Sequence, residues 1–118
     1  MTRFVILAHD WPVPHWDFLV EAGGALRAWR LLAEPAVDAD VSAEPNGDHR
    51  LAYLDYEGPV SGGRGAVSRW DAGTCAWLDD EADRVAIQLA GAKLAGRAIL
   101  RRAGGTWVFR VSAGPAAE

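Results

Sequence analysis

At 118 residues the chain is long enough for one hydrophobic core and short for two, so a single domain spanning 1–118 is expected. Half of the residues are hydrophobic, which excludes disorder by composition, and no apolar run approaches the ~18–20 residues that a membrane-spanning helix needs. The net charge of −4 argues against extended binding along a nucleic-acid duplex, where a basic surface supplies much of the affinity, but leaves room for a small site that grips one phosphate.

The chain opens with Met1-Thr-Arg-Phe-Val-Ile-Leu-Ala8, an apolar, mostly β-forming run with no small-residue cleavage site after it. It reads as a first strand over 3–8 and not as a signal peptide. His9 then falls at the strand end, prolines stiffen the loop that follows, and a second strand runs over 15–21. Strand alternation sends His15, Asp17, Leu19 and Glu21 to one face and Trp16, Phe18 and Val20 to the other. His15 and Asp17 project side by side, roughly 7 Å apart at Cα. If the two strands pair, His9 arrives beside them. The three side chains offer nitrogen and oxygen donors of the kind that hold Zn²⁺ or Mn²⁺, with room left for water or substrate. The competing reading is of ordinary polar residues at a strand end.

Gly23-Gly24 marks a hairpin turn, and a third strand is predicted over 26–32. Residues 33–48 show no clear period and read as a surface loop with at most a helical turn. Tyr53-Leu-Asp-Tyr-Glu57 reads as a short strand after His49. Pro59–Gly65 reads as a glycine-rich turn, Gly65–Asp71 as a strand, and Asp71-Ala-Gly73 as a further turn. The acidic stretch Asp79–Asp83 reads as a solvated loop and not as a metal site. Strands are predicted over 84–90, 93–101 and 106–111, the last two joined through Gly104-Gly105, with a frayed tail over 112–118. Cys75 is the single cysteine, so no intrachain disulfide can form; a buried, inert thiol and a cytoplasmic location are expected. The six tryptophans fall mostly within predicted strands and should be buried or half-buried, with Trp11 and Trp16 as candidates for base stacking. The sum is a mainly β fold, an antiparallel barrel or a curled sheet, with one barrel of about seven or eight strands and little flanking helix as the expectation.

Taken together, these residues resemble a known family, the 3′-phosphoesterase domain of bacterial DNA ligase D. Its His–X5–His–aromatic–Asp–Phe–X2–Glu motif stands here as His9, His15-Trp16-Asp17-Phe18 and Glu21. Its glycine turn and Leu-basic-X-Trp strand stand as Gly23-Gly24 and Leu26-Arg27-Ala28-Trp29. The later segment is matched by His49-Arg-Leu-Ala-Tyr53-Leu-Asp-Tyr-Glu-Gly58, then by Trp70-Asp71-Ala-Gly73-Thr74, Lys93-Leu-Ala-Gly96-Arg97 and the closing strand with Trp107. The likeness runs in order through nearly the whole chain.

The resemblance implies a β-barrel that removes 3′-phosphates or terminal 3′-ribonucleotides from DNA or RNA ends during end repair, with Mn²⁺ as the implied metal and Zn²⁺ as the alternative. It implies His9, His15 and Asp17 as metal ligands and members of the catalytic set, and His49 and Tyr53 as residues that contact the phosphate or assist proton transfer. A separate ligase or polymerase is the implied partner, and a membrane is not. The chain departs from the pattern at Leu19, where the family has an arginine, and at Ala33, where it has a lysine; a family N-terminal extension bearing Arg, Asp and Glu is also expected to be missing. Arg27, Arg30, Arg64 and Arg97 are four candidates to replace the lost charge. The reading favoured is a divergent metal-dependent phosphoesterase; the alternatives are a weak or inactive metal-binding barrel serving nucleic-acid or protein interaction, and histidines that bind nothing.

Overall fold

A computed structural model describes residues 1–113. The described residues form nine strands: β1 Arg3–His9, β2 His15–Ala22, β3 Ala25–Leu31, β4 Val41–His49, β5 Gly58–Pro59, β6 Ala66–Glu81, β7 Arg84–Gly91, β8 Ala95–Ala103 and β9 Thr106–Ser112, with one 3₁₀ turn at Leu51–Leu54. Neighbours follow the order β1-β2-β3-β4-β9-β8-β7-β6, and β6 returns to pair with β1. Eight strands therefore close an antiparallel barrel, and the two-residue β5 pairs onto β6 outside the closure. The expected barrel is present. Most of the tail predicted to fray, 114–118, lies outside the described residues.

The two-residue hairpins follow directly from glycine. Ala22 pairs with Ala25 across Gly23-Gly24, whose φ angles of 59° and 91° suit the primed turns that match strand twist. Alternation then sorts the side chains. Phe4 and Ile6 of β1, Phe18 and Val20 of β2 and Trp29 and Leu31 of β3 enter a core that draws on every barrel strand. Phe18 sits at its centre, with ring centroids 6.1 Å from Phe4, 5.9 Å from Trp29 and 5.2 Å from Phe109.

The opposite face of β1–β3 is also apolar. Val5, Leu7, Leu19, Leu26 and Ala28 form a second cluster with Val67, closed by Leu54 of the 3₁₀ turn. That cover explains why no strand forms over 53–57: the 3₁₀ turn Leu51–Leu54 takes its first two residues, and 55–57 are irregular. An apolar outer wall needs a plug, and a compact turn delivers Leu54 onto it. The turn is further tied to β1 by Arg3, whose guanidinium reaches Asp55 at 2.8 Å. This hydrogen bond holds the Asp55 carboxyl below its usual range. Its small contribution to stability is therefore present above the ordinary carboxylate pKa and lost as pH falls through the depressed value.

Four other expectations are corrected. Residues 41–48, read as part of a loop, form β4 together with His49. Only Val41 and Ala43 point inward, and the segment is extended because β3 pairs with it along Ala43–His49 and β9 along Val41–Ala43. Pro45 is tolerated because it lies beyond the β9 pairing, where no ladder N–H is required on that side. Second, no turn interrupts Asp71–Gly73. β6 runs for 16 residues, pairing with β1 over Val67–Thr74 and with β7 over Gly73–Glu81. It bends at two irregularities in register, and Gly73 permits the corner: a Cβ there would lie 2.1 Å from the Ala90 carbonyl oxygen. Third, Asp79, Asp80 and Glu81 are the exposed end of β6, not a loop; Asp79 pairs with Arg84 at 2.6 Å and Asp80 with Arg27 at 2.9 Å. The last strand pair begins at Ala95, later than predicted, because Lys93 and Leu94 belong to the turn before it.

Cys75 is buried, and burial pushes its thiol up to about 11. It is therefore a neutral, packed group at pH 7, in keeping with an inert thiol. Trp29 is buried, Trp16, Trp70, Trp77 and Trp107 pack partly against the core, and Trp11 is 43 % exposed. No helix of the described residues is long and apolar enough to cross a membrane.

Candidate metal centre

His9 closes β1 and His15 opens β2, and the two face each other across the sheet as a register pair. Asp17 follows on the same face of β2. Strand alternation thus delivers all three side chains to the outer face of the barrel, beside the apolar cluster and not inside the core. Their ligand atoms lie within 4.8 Å of one another. Asp17 Oδ2 is 3.1 Å from His9 Nδ1, and Asp17 Oδ1 is 3.1 Å from His15 Nε2. His15 is 1 % exposed and Asp17 6 %.

The far ring nitrogens decide what these contacts are. His15 Nδ1 lies 3.0 Å from the Val13 carbonyl oxygen, and His9 Nε2 lies 2.9 Å from the Arg64 carbonyl oxygen. A carbonyl oxygen only accepts, so each of those nitrogens carries its proton outward. In the neutral rings the inward nitrogens are then lone pairs, and both face the acceptor oxygens of one carboxylate. His15 Nε2 is close to Asp17 yet is fully buried without a hydrogen-bond partner. Two imidazole nitrogens and one carboxylate thus converge, His9 Nδ1 at hydrogen-bond distance from Asp17 Oδ2 and the buried His15 Nε2 without any such bond. A divalent cation is the group that such a donor set fits, with backbone carbonyls orienting both imidazoles from behind.

The Arg64 carbonyl is delivered by the glycine-rich turn. Gly65 takes a φ of +74°, and a Cβ on it would fall 2.2 Å from Asp10 Oδ1 and 2.6 Å from Trp11 Cβ. Asp10 Oδ1 also accepts a hydrogen bond from the Ala66 amide at 2.9 Å. Gly65→Ala should therefore push the turn away from His9. The expected result is a fall in Mn²⁺ affinity of about tenfold or more, the usual effect of losing an orienting partner behind a ligand, read by calorimetric titration of the purified protein. Unchanged affinity would mean that the Arg64 carbonyl does not set the His9 ring.

His49 and Tyr53 line the same cavity of about 300 Å³ as His9, His15 and Asp17. His49 ends β4 opposite Leu26, and its Nδ1 donates to the Gly47 carbonyl at 2.8 Å, which leaves Nε2 as the free ring nitrogen. Its ring meets that of Tyr53 edge-on at 5.7 Å. His49 stands outside the group of three converging ligands. Glu21, the last residue of the motif, is elsewhere, at the far end of β2, where its carboxylate accepts from the Arg3 amide at 3.0 Å. Leu19 is fully buried in the outer apolar cluster, and Ala33 lies exposed after β3. Residues that the motifs did not single out also border the cavity: Trp11, Arg30, Asn46 and Arg64. Arg30 was legible only as one of four arginines, because its place depends on which residue of β2 it meets.

The DNA Ligase D 3′-phosphoesterase domain family matches residues 7–102. The chain is 35% identical over 107 residues, 82% of its length, to the multifunctional non-homologous end joining protein LigD of Pseudomonas aeruginosa. It is 33% identical to the multifunctional non-homologous end joining DNA repair protein LigD of Mycobacterium tuberculosis, in an alignment that covers 89% of the chain. It spans only 13% and 15% of those two proteins. With a match over most of its length and relatives at 33–35% identity, the chain belongs to the DNA ligase D 3′-phosphoesterase domain family.

Proposed function

We propose that residues 1–118 act as one metal-dependent phosphoesterase domain that removes a 3′-phosphate or a terminal 3′-ribonucleotide from nucleic-acid ends. The observation that carries this reading is the convergence of His9, His15 and Asp17 within 4.8 Å, with the buried His15 Nε2 left without a hydrogen-bond partner, at the wall of a cavity that also holds His49 and Tyr53. Membership of the family supports the substrate class, as do the end-joining names of the relatives.

In this reading His9, His15 and Asp17 hold the cation, Mn²⁺ in the first place and Zn²⁺ as the alternative, since a nitrogen-and-oxygen donor set suits both. When bound, the cation supplies Lewis-acid polarisation of a phosphoryl oxygen. In its imidazolium form His49 offers Nε2–H to the phosphate as a hydrogen-bond donor or general acid, with its Nδ1–H engaged by the Gly47 carbonyl. Tyr53 packs against that ring, limits its rotation and presents a hydroxyl to the same phosphate. A ligase and a polymerase are the partners that would use the cleaned 3′ end, and the cytoplasm is the compartment.

The test is release of inorganic phosphate from an oligonucleotide with a 3′-phosphate, measured with Mn²⁺, with Zn²⁺ and with chelator. Metal-dependent release is expected. No release from this substrate or from a panel of phosphoesters, in a protein that binds the metal, would replace the enzyme with a metal-binding barrel of interaction role.

A further inference from the structure

Arg30 carries a charge that the fold leaves unused. It lies on the outer face of β3, directly opposite Asp17 on β2 and Glu44 on β4. Among the described residues it forms an ion pair with neither, and the Asp17 oxygens are turned to His9 and His15. Arg30 Nε is shut off from solvent and has no hydrogen-bond partner. The side chain borders the cavity that contains the three converging ligands. A desolvated donor without an acceptor is costly to a fold unless a ligand supplies the acceptor.

The other three candidate arginines are engaged or distant. Arg27 binds Asp80 and lies over the Trp29 and Trp77 rings. The Arg64 guanidinium donates to the Ser61 carbonyl and hydroxyl. Arg97 is exposed on β8, across the barrel from β2. Charge points the same way. A divalent cation beside the single carboxylate of Asp17 leaves one positive charge over, Arg30 adds a second, and a phosphate monoester dianion matches both. The planar guanidinium also offers paired donors to two phosphoryl oxygens.

We propose that Arg30 grips the phosphoryl oxygens of the substrate at this centre, an inference that rests on the phosphoesterase reading above. Leu19 is fully buried in the outer apolar cluster, so the grip comes from the adjacent strand, β3, instead of β2. The test uses the full chain with Arg30→Gln, Arg30→Lys and Arg30→Met, the last retaining the apolar stem in case the glutamine variant does not fold. Mn²⁺ affinity is measured by calorimetry, then binding of inorganic phosphate to the Mn²⁺-loaded protein, then KM and kcat on the 3′-phosphate oligonucleotide. Expected are Mn²⁺ affinity within about twofold of the parent, phosphate affinity lower by about tenfold or more in both neutral variants with a raised KM, and an intermediate value for lysine, which keeps the charge without the fork. Folded neutral variants that bind phosphate as tightly as the parent, with unchanged KM, would overturn Arg30 alone. A parent that binds Mn²⁺ but neither binds nor releases phosphate would overturn the phosphoesterase reading and Arg30 with it.

Discussion

Replacing His15 with alanine should abolish Mn²⁺ binding at the centre and, with it, metal-dependent phosphate release. The ring is 1 % exposed, its Nδ1 proton is held by the Val13 carbonyl at 3.0 Å, and Nε2 is left as an orphaned lone pair beside Asp17. Among the three converging residues it is the one whose inward nitrogen has no hydrogen-bond partner, so metal binding is the interaction most directly removed. The metal-free protein should also lose stability, because alanine removes the Nδ1 bond to the Val13 carbonyl and the packing of a buried ring along with the unsatisfied Nε2. The decisive readout is therefore a difference between two melting curves. The parent should gain about 2.7 kcal/mol in Mn²⁺ at a hundred times its dissociation constant, and His15→Ala should gain none at that concentration. A variant that still melts higher with Mn²⁺ would remove His15 from the ligand set. Activity should fall by about a hundredfold or more, the scale on which losing a charge-stabilising group acts in such chemistry.

Asp71→Ala should be the most damaging substitution outside the centre, and it should act on stability. Asp71 is 2 % exposed. Its Oδ1 accepts from the amides of Ala72 at 2.9 Å, Ala92 at 2.9 Å and Lys93 at 3.0 Å, and its Oδ2 accepts from Leu94 at 2.8 Å. One carboxylate thus satisfies the turn that links β7 to β8 and joins it to β6. Alanine would strand these donors, some of them out of reach of water. At about 1–3 kcal/mol for each donor left unsatisfied, and with partial rescue by solvent, the expected loss is about 3–4 kcal/mol. That corresponds to a fall in melting temperature of about 10–15 °C for a domain of this size. Asp71→Asn, which keeps one acceptor oxygen, should fall between the two. A loss below about 1 kcal/mol in urea titration would place Asp71 with exposed pairs such as Arg110–Asp40.

Much of the barrel was legible along the chain, and particular residues show why. The Gly23-Gly24 and Gly104-Gly105 hairpins rest on glycines whose turn geometry is local. The shared face of His15 and Asp17 rests on a period of two, which any strand obeys. The segment Val41-Ser-Ala-Glu-Pro-Asn-Gly-Asp-His49 shows no such period, and it is a strand because β3 and β9 flank it. β6 looked like a strand, a turn and a loop because its partner changes from β1 to β7 along its length. Asp71 looked like a turn residue, yet the turn that it holds lies 21 to 23 positions downstream.

The same division runs through the centre. The sequence by itself determined that His9, His15 and Asp17 could meet, since strand parity and a short connection follow from residues within the stretch. It also determined the family, through motifs in fixed order. Only the tertiary structure decided which nitrogens keep their protons, because the carbonyls that fix them belong to Val13 and to Arg64, the latter 55 residues from His9. Only the tertiary structure separated Arg30 from Arg27, Arg64 and Arg97. The register of β3 against β2 sets Arg30 beside Asp17, and register is a property of two strands paired, which neither strand carries alone.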